Sequence, residues 1–149
     1  LVLANLGSPI RLKLAAERVG YFILAGRKFV WLRAPADAPL ASGYYELLFD
    51  DDRTPVQLLG RYSKKVERKG GAELKQEFRQ KNEYFLRTSQ GYFPVSSVSG
   101  VAATWPEKKK ELKEFVRSNK LKFTKEQRAA SLAALVGYYD KLAQASPAR

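Results

Sequence analysis

The sequence predicts an α+β domain. An antiparallel sheet of hairpins, strongly twisted or barrel-like, occupies residues 1–96, and a pair of helices over 101–143 closes one side of it. Three observations carry this expectation. Apolar and β-branched runs alternate with short turn-forming clusters from residue 9 to residue 95. From Thr104 onward the apolar residues instead recur at helical spacing. The sequence has 149 residues, which suits one domain burying roughly two-thirds of its unfolded surface.

Pro9–Leu14 sets Ile10, Leu12 and Leu14 against Arg11 and Lys13, a period of two that marks a half-buried strand. Val19–Ala25 and Lys28–Leu32 are near-continuous apolar runs around Gly26-Arg27 and read as a hairpin. Covered on both faces, that pair would be the centre of the sheet. Exposed, it would be an aggregation hazard, with Arg27, Lys28 and Arg33 as flanking gatekeepers. Residues 34–42 hold two prolines among small residues and read as a loop. Gly43–Phe49 and Val56–Leu59 form a second hairpin around Asp50-Asp51-Asp52-Arg53. The aspartates lack the spacing of a calcium loop, so a turn held by side-chain-to-backbone bonds is expected.

Arg61–Lys69 either continues that strand or leaves the sheet, and Gly70-Gly71 interrupts it. Ala72–Gln80 consists of helix formers with Leu74 and Phe78 four apart, which predicts a short helix or a mobile basic excursion. Asn82–Thr88 and Tyr92–Val95 make a third hairpin around Ser89-Gln90-Gly91, with Pro94 placing its strand at an edge or a strand end. Residues 96–100 are a loop or a helix start. Thr104 and Glu107 have capping-box spacing, Pro106 suits a first turn, and Leu112, Phe115 and Val116 form one face. Asn119 is the expected left-handed stop. Thr124–Gln127 repeats the capping-box pattern ahead of Leu132, Leu135, Val136, Tyr139 and Leu142. Ala129, Ala130, Ala133 and Ala134 leave room for a close neighbour, and Leu121 and Phe123 in the link are expected to plug into the core.

Net charge is +12, which points to acidic partners: polyanions, anionic lipid or an acidic protein surface. Divided at residue 75, the charge is spread evenly, +5 before and +7 after. There is no Cys and no His, which removes thiol chemistry, the usual triads and the usual zinc sites. No phosphate-cradling glycine motif occurs. No cofactor and no metal are therefore expected. No apolar run is long enough to span a bilayer. There is no Met even at position 1, so the natural start is expected upstream.

Gly43–Leu48 (GYYELL), Leu58–Lys65 (LLGRYSKK), Tyr84-Phe85-Leu86, Tyr92–Val95, Pro106–Lys113 (PEKKKELK), Asn119–Phe123 (NKLKF) and Tyr138-Tyr139 follow one another in a distinctive order. In that order the sequence resembles a group of small uncharacterised exported proteins of Bacteroidota. These carry a G-[FY]-[YF]-E-V-L strand, an L-L-x-R-Y-x-K run, a tyrosine-rich hairpin, and a P-[DE]-K-K-x-E-L-K helix closing through N-K-L-x-F on a tyrosine pair. The resemblance spans residues 19–142. It implies an export signal and a further N-terminal strand region upstream, a periplasmic or secreted location, and no known activity. Pro55 departs from the pattern and leaves the register of the second hairpin open.

Two further readings of the residues remain. Glu46 and Glu83 are a conceivable acid pair for hydrolysis, provided they converge in a cleft. Basic residues and rings interleave over 61–85, as in single-strand nucleic-acid binders, but no RNP-type motif is present. The two C-terminal helices lack the glycine turn of a helix-turn-helix, so specific nucleic-acid binding is the secondary reading. The primary expectation is a non-enzymatic domain that contacts a protein or an envelope component through Arg61, Tyr62, Lys64, Lys65, Arg68, Lys69, Arg79 and Lys81. Tyr44, Tyr62, Tyr92 and Tyr138 could add contact area, although packing within the domain is the plainer role for each.

Overall fold

The computed structural model describes residues 2–4, 7, 9, 11–13, 15–69 and 75–145. Strands β1 (Val2–Ala4) and β2 (Arg11–Lys13) pair with each other as a separate two-stranded sheet. A 3-10 turn at Ala16–Arg18 follows. The main sheet is an antiparallel meander in sequence order: β3 (Tyr21–Leu24), β4 (Arg27–Leu32), β5 (Gly43–Asp50), β6 (Gln57–Lys69), β7 (Lys75–Thr88) and β8 (Gly91–Pro94). Its end strands β3 and β8 are not paired with each other, so the sheet is open and the barrel alternative is corrected.

The hairpin turns follow from local chemistry. Ala25 and Gly26, with φ of 50° and 75°, reverse the backbone between Leu24 and its partner Arg27. Positive φ at both central residues matches the right-handed twist of the flanking strands. In the next turn the Asp51 carboxylate accepts the Arg53 N–H at 2.9 Å, and Thr54 N–H donates to the Asp51 carbonyl at 3.0 Å. Pro55 lies in this turn, outside both strands. The register shifts between Leu47 and Phe49. Pro94 is the last residue of an edge strand, where its missing N–H costs nothing.

Of the two alternatives for the Val19–Leu32 hairpin, the exposed one holds: β3 is the edge of the sheet. One expectation about strands is corrected. The helix expected at 72–80 is strand from Lys75 onward, paired from Lys69↔Lys75 to Lys65↔Arg79 and beyond. Residues 70–74, including Gly70-Gly71, lie outside the described residues. A helix of about nine residues is marginal by itself. Ladder bonds to β6, continuous with the strand at Asn82–Thr88, outweigh its propensity.

Beyond the sheet, toward the C-terminus, three helices form: α1 (Val98–Thr104), α2 (Lys109–Ser118) and α3 (Arg128–Ala145). Three helices thus stand where a two-helix hairpin was expected, and the first is capped by Ser97, whose hydroxyl accepts the Gly100 N–H. Thr104 is the last residue of α1 and not a cap; its hydroxyl donates to the Gly100 carbonyl at 3.5 Å. A 3-10 turn over Pro106–Lys108 leads into α2, and neither of those two starts has a side-chain cap bond. The left-handed residue after α2 is Lys120, φ 51°, one position beyond Asn119, whose φ is −92°. Lys120 N–H reaches the Arg117 carbonyl and Leu121 N–H reaches that of Val116, at 3.1 and 3.0 Å. This pair of bonds is a Schellman stop. Helix α3 begins after a turn in which Arg128 N–H donates to the Thr124 carbonyl at 2.9 Å.

The helices cover one face of the sheet. Leu58, Tyr84 and Leu86 meet Val101, Trp105, Leu112, Leu132, Leu135 and Val136 there, with Phe115 and Phe123 packed alongside. Loop 34–42 covers part of the other face, where Leu40 sits on Tyr45, Leu59 and Phe85. Buried Asp140 fastens α3 to the β5–β6 turn, accepting from Thr54 Oγ1 and from Gln144 Nε2, each at 2.6 Å. Both faces at the middle of the sheet are thus occupied by packing, and what remains for function is the sheet's edges and its longest hairpin.

Candidate functional site

The longest strands, β6 and β7, outrun their neighbours. β5 pairs with β6 only as far as Glu46↔Gly60, and β8 pairs with β7 only as far as Phe85↔Pro94. From Arg61↔Glu83 to Lys69↔Lys75 the two strands pair with each other alone among the described strands. At about 3.4 Å per residue this ribbon is about 27 Å long. Residues 61–83 hold eight Lys/Arg against four Glu.

The structure brings the expected contact residues onto this ribbon but divides them. Arg61 lies half-buried on the loop-covered face, its guanidinium 5.7 Å from the Tyr45 ring centroid. Lys81, exposed, pairs with Glu83 at 2.8 Å. Arg79 is exposed and stands opposite Lys65 in the ladder. Lys64 is exposed and opposite Gln80, two positions along from Tyr62. Arg68 pairs in register with Gln76, and Lys69 with Lys75. Tyr62 is the exception. It turns into the domain and donates its hydroxyl hydrogen to Glu46 at 2.6 Å, so it is a packing residue.

Tyr62 belongs to a network at the ribbon's base. The Arg27 guanidinium grips the Glu46 carboxylate through Nε and Nη2, at 2.5 and 2.6 Å. Its plane lies over the Phe29 and Tyr62 rings, 5.5 and 5.2 Å from their centroids. Burial pushes the Glu46 carboxyl up, but the bonds from Arg27 and Tyr62 outweigh it and hold the group below its ordinary value. Burial, reinforced by the neighbouring carboxylate, holds the Tyr62 phenol well above the usual range. Gly60 makes the network possible. A Cβ there would stand 3.0 Å from Tyr62 Oη and 3.1 Å from Leu48 Cδ1. Gly60→Ala is expected to lower stability by about 2 kcal/mol in urea unfolding, against the gain that the same change brings to an open strand.

The acid pair does not form. Glu46 shares the helix-side face with Gly60 and Tyr62, whereas Glu83, opposite Arg61, is on the other. One carboxylate is held by Arg27 and the other by Lys81. Among the described residues no cluster of three or more acidic side chains could hold a metal ion. The tyrosines considered for contact are packed: Tyr44 edge-on to Phe22 and Trp31, Tyr138 stacked 4.1 Å from Phe115, Tyr92 under Arg87.

Two cations escape the sequence reading. Lys125 of the α2–α3 link and Arg128, the first residue of α3, line a groove with Gln80, Lys81, Asn82 and Tyr84 at the ribbon's root. Arg128 is fixed there by donating twice to the Phe123 carbonyl, at 3.2 and 3.0 Å. The fold also changes the reading of the charge. Divided where the ribbon leaves the sheet, residues 1–60 carry +1 (7 basic, 6 acidic) and residues 61–149 carry +11 (20 basic, 9 acidic). No helix among the described residues is long and apolar enough to cross a membrane. No protein-family model, curated protein or solved structure matches this sequence or its fold.

Proposed function

We propose that this protein is a non-enzymatic binding domain that meets an acidic partner in the cell envelope, with the β6–β7 ribbon as its contact arm. The observation that carries the reading is the coincidence of charge and shape: +11 of the net +12 lies beyond Gly60, and a paired ribbon with no flanking strand among the described residues opens that half. A basic arm at an anionic surface gains about 1 kcal/mol per Lys or Arg near it. The exported setting follows the order of segments shared with the Bacteroidota group. N-terminal sequencing of the native protein from fractionated cells checks that setting. A processed start in the periplasmic or secreted fraction is expected, and a cytoplasmic pool with an unprocessed start contradicts it.

A second reading has one observation in its favour: a two-stranded ribbon has the dimensions to enter the major groove of DNA. Vesicles containing anionic phospholipid and a duplex of mixed sequence separate the two. Under the primary reading the protein sediments with the vesicles and is released between about 50 and 200 mM salt. Tight duplex binding with a steep salt slope, and no vesicle binding, would favour the second reading.

A further inference from the structure

The large apolar side chains left exposed among the described residues all lie on one strand. Tyr21, Ile23 and Leu24 of β3 are 61%, 65% and 63% accessible. β3 ends the sheet, and no strand pairs with its outer side among the described residues. The orientation of its backbone follows from its pairing with β4. Trp31 N–H donates to the Gly20 carbonyl at 2.8 Å, continuing the register Tyr21↔Val30 and Phe22↔Phe29. Antiparallel ladders alternate between bonded and non-bonded pairs. Gly20 and Phe22 therefore direct their N–H and C=O toward β4, while Tyr21 and Ile23 direct theirs outward.

We infer that β3 is a dimerisation edge, taken up by β3 of a second copy in antiparallel register about a two-fold axis through Phe22. Tyr21 of each copy then stands opposite Ile23 of the other. Their outward N–H and C=O groups bond reciprocally, Phe22 faces its own copy, and Leu24 falls beside Gly20. This register satisfies every outward group of the strand, and its apolar pairs lie on matching faces.

Two observations select a second copy as the occupant. Two of the devices that usually block edge pairing are missing: Gly20–Gly26 has no charge and no proline. The flanking cations are also occupied, Arg27 by Glu46 and Lys28 over the Tyr21 ring at 5.4 Å. Charge distribution then removes the main objection to self-association of a strongly basic protein. β3 belongs to the near-neutral residues 1–60, and the ribbon strand β6 is three strands away in each copy. Across the joined sheets the two β6 strands are separated by about 34 Å at the usual strand spacing, several times the screening length at physiological salt.

The test is sedimentation of the 149-residue protein over a range of concentrations, alongside Ile23→Lys. The wild type is expected to move from 16.8 kDa toward twice that mass as concentration rises, and the variant to stay monomeric with an unchanged melting temperature. Since the sequence has no cysteine, Phe22→Cys adds a single thiol that faces its own copy. It should form a disulfide-linked dimer on mild oxidation, whereas Ser89→Cys, in the β7–β8 turn, should not. A wild type that stays monomeric throughout overturns the inference, including one that instead captures a strand of another protein. A dimer unaffected by Ile23→Lys, or equal cross-linking at positions 22 and 89, overturns it as well.

Discussion

Trp105→Ala should lower the unfolding free energy by about 4 kcal/mol and the melting temperature by roughly 12 °C. Trp105 closes α1 and leads into the turn before α2, so one side chain joins the three helices where the backbone changes direction. It is buried, and its ring lies flat on Tyr139 of α3, with centroids 3.5 Å apart and planes 8° apart. Truncation removes both the burial and the stacking partner, and leaves a cavity between helices already fixed by Leu112, Leu132 and Leu135. Trp105→Phe keeps a ring against Tyr139 and should cost about half as much. Chemical denaturation of the three proteins, at constant dependence on denaturant, checks the series.

Arg27→Ala should lower stability by about 2 kcal/mol at neutral pH. Removing one partner of a buried ion pair costs more, but Arg27 is half-exposed and solvent screens part of the interaction. What distinguishes this loss from ordinary truncation is its pH dependence. In the wild type the Glu46 carboxyl is held below its unfolded value. Its contribution is present above the unfolded carboxylate range and is lost as pH falls through the folded value. Without Arg27, burial dominates and raises the carboxyl above the unfolded value. The variant should then lose stability as pH rises from about 4 to 7, whereas the wild type, its Glu46 contribution already present above the unfolded carboxylate range, shows no such loss. Urea titrations at three pH values across that range give the two slopes directly.

The hairpins and the α3 stripe were legible because local rules and burial agree there. Alternation, Gly26 and Gly91 mark the turns, and Leu132, Leu135 and Val136 fall on one helical face. Disagreement arose where a long-range partner outweighed a local signal. Thr104 and Glu107 have the spacing of a capping box, but α1 ends at Thr104 and uses it in its last turn. Lys75–Gln80 favours helix by composition and becomes strand because β6 lies alongside it. The hydrophobicity of Tyr21–Leu24 suggests a central strand, yet strand order is not encoded in the strand's own residues. At the ribbon, the basic residues were legible individually. Their division between two faces, the inward turn of Tyr62 and the approach of Lys125 and Arg128 depend on the register and on the α2–α3 link. The charge asymmetry was present in the sequence, but dividing it at residue 75 cut through the ribbon and concealed it.

Binding of the protein to anionic vesicles, with charge removed from one element at a time, tests the role of the ribbon most directly. Replacing Lys64, Lys65, Arg68 and Lys69 by glutamine should weaken binding several-hundred-fold, at about 1 kcal/mol per charge. Replacing Lys109, Lys110 and Lys113 of α2 should change it by only a few-fold, because those residues lie away from the contact arm. Equal losses from the two sets, or full binding retained without the ribbon's cations, would contradict the assignment of the ribbon as the contact arm.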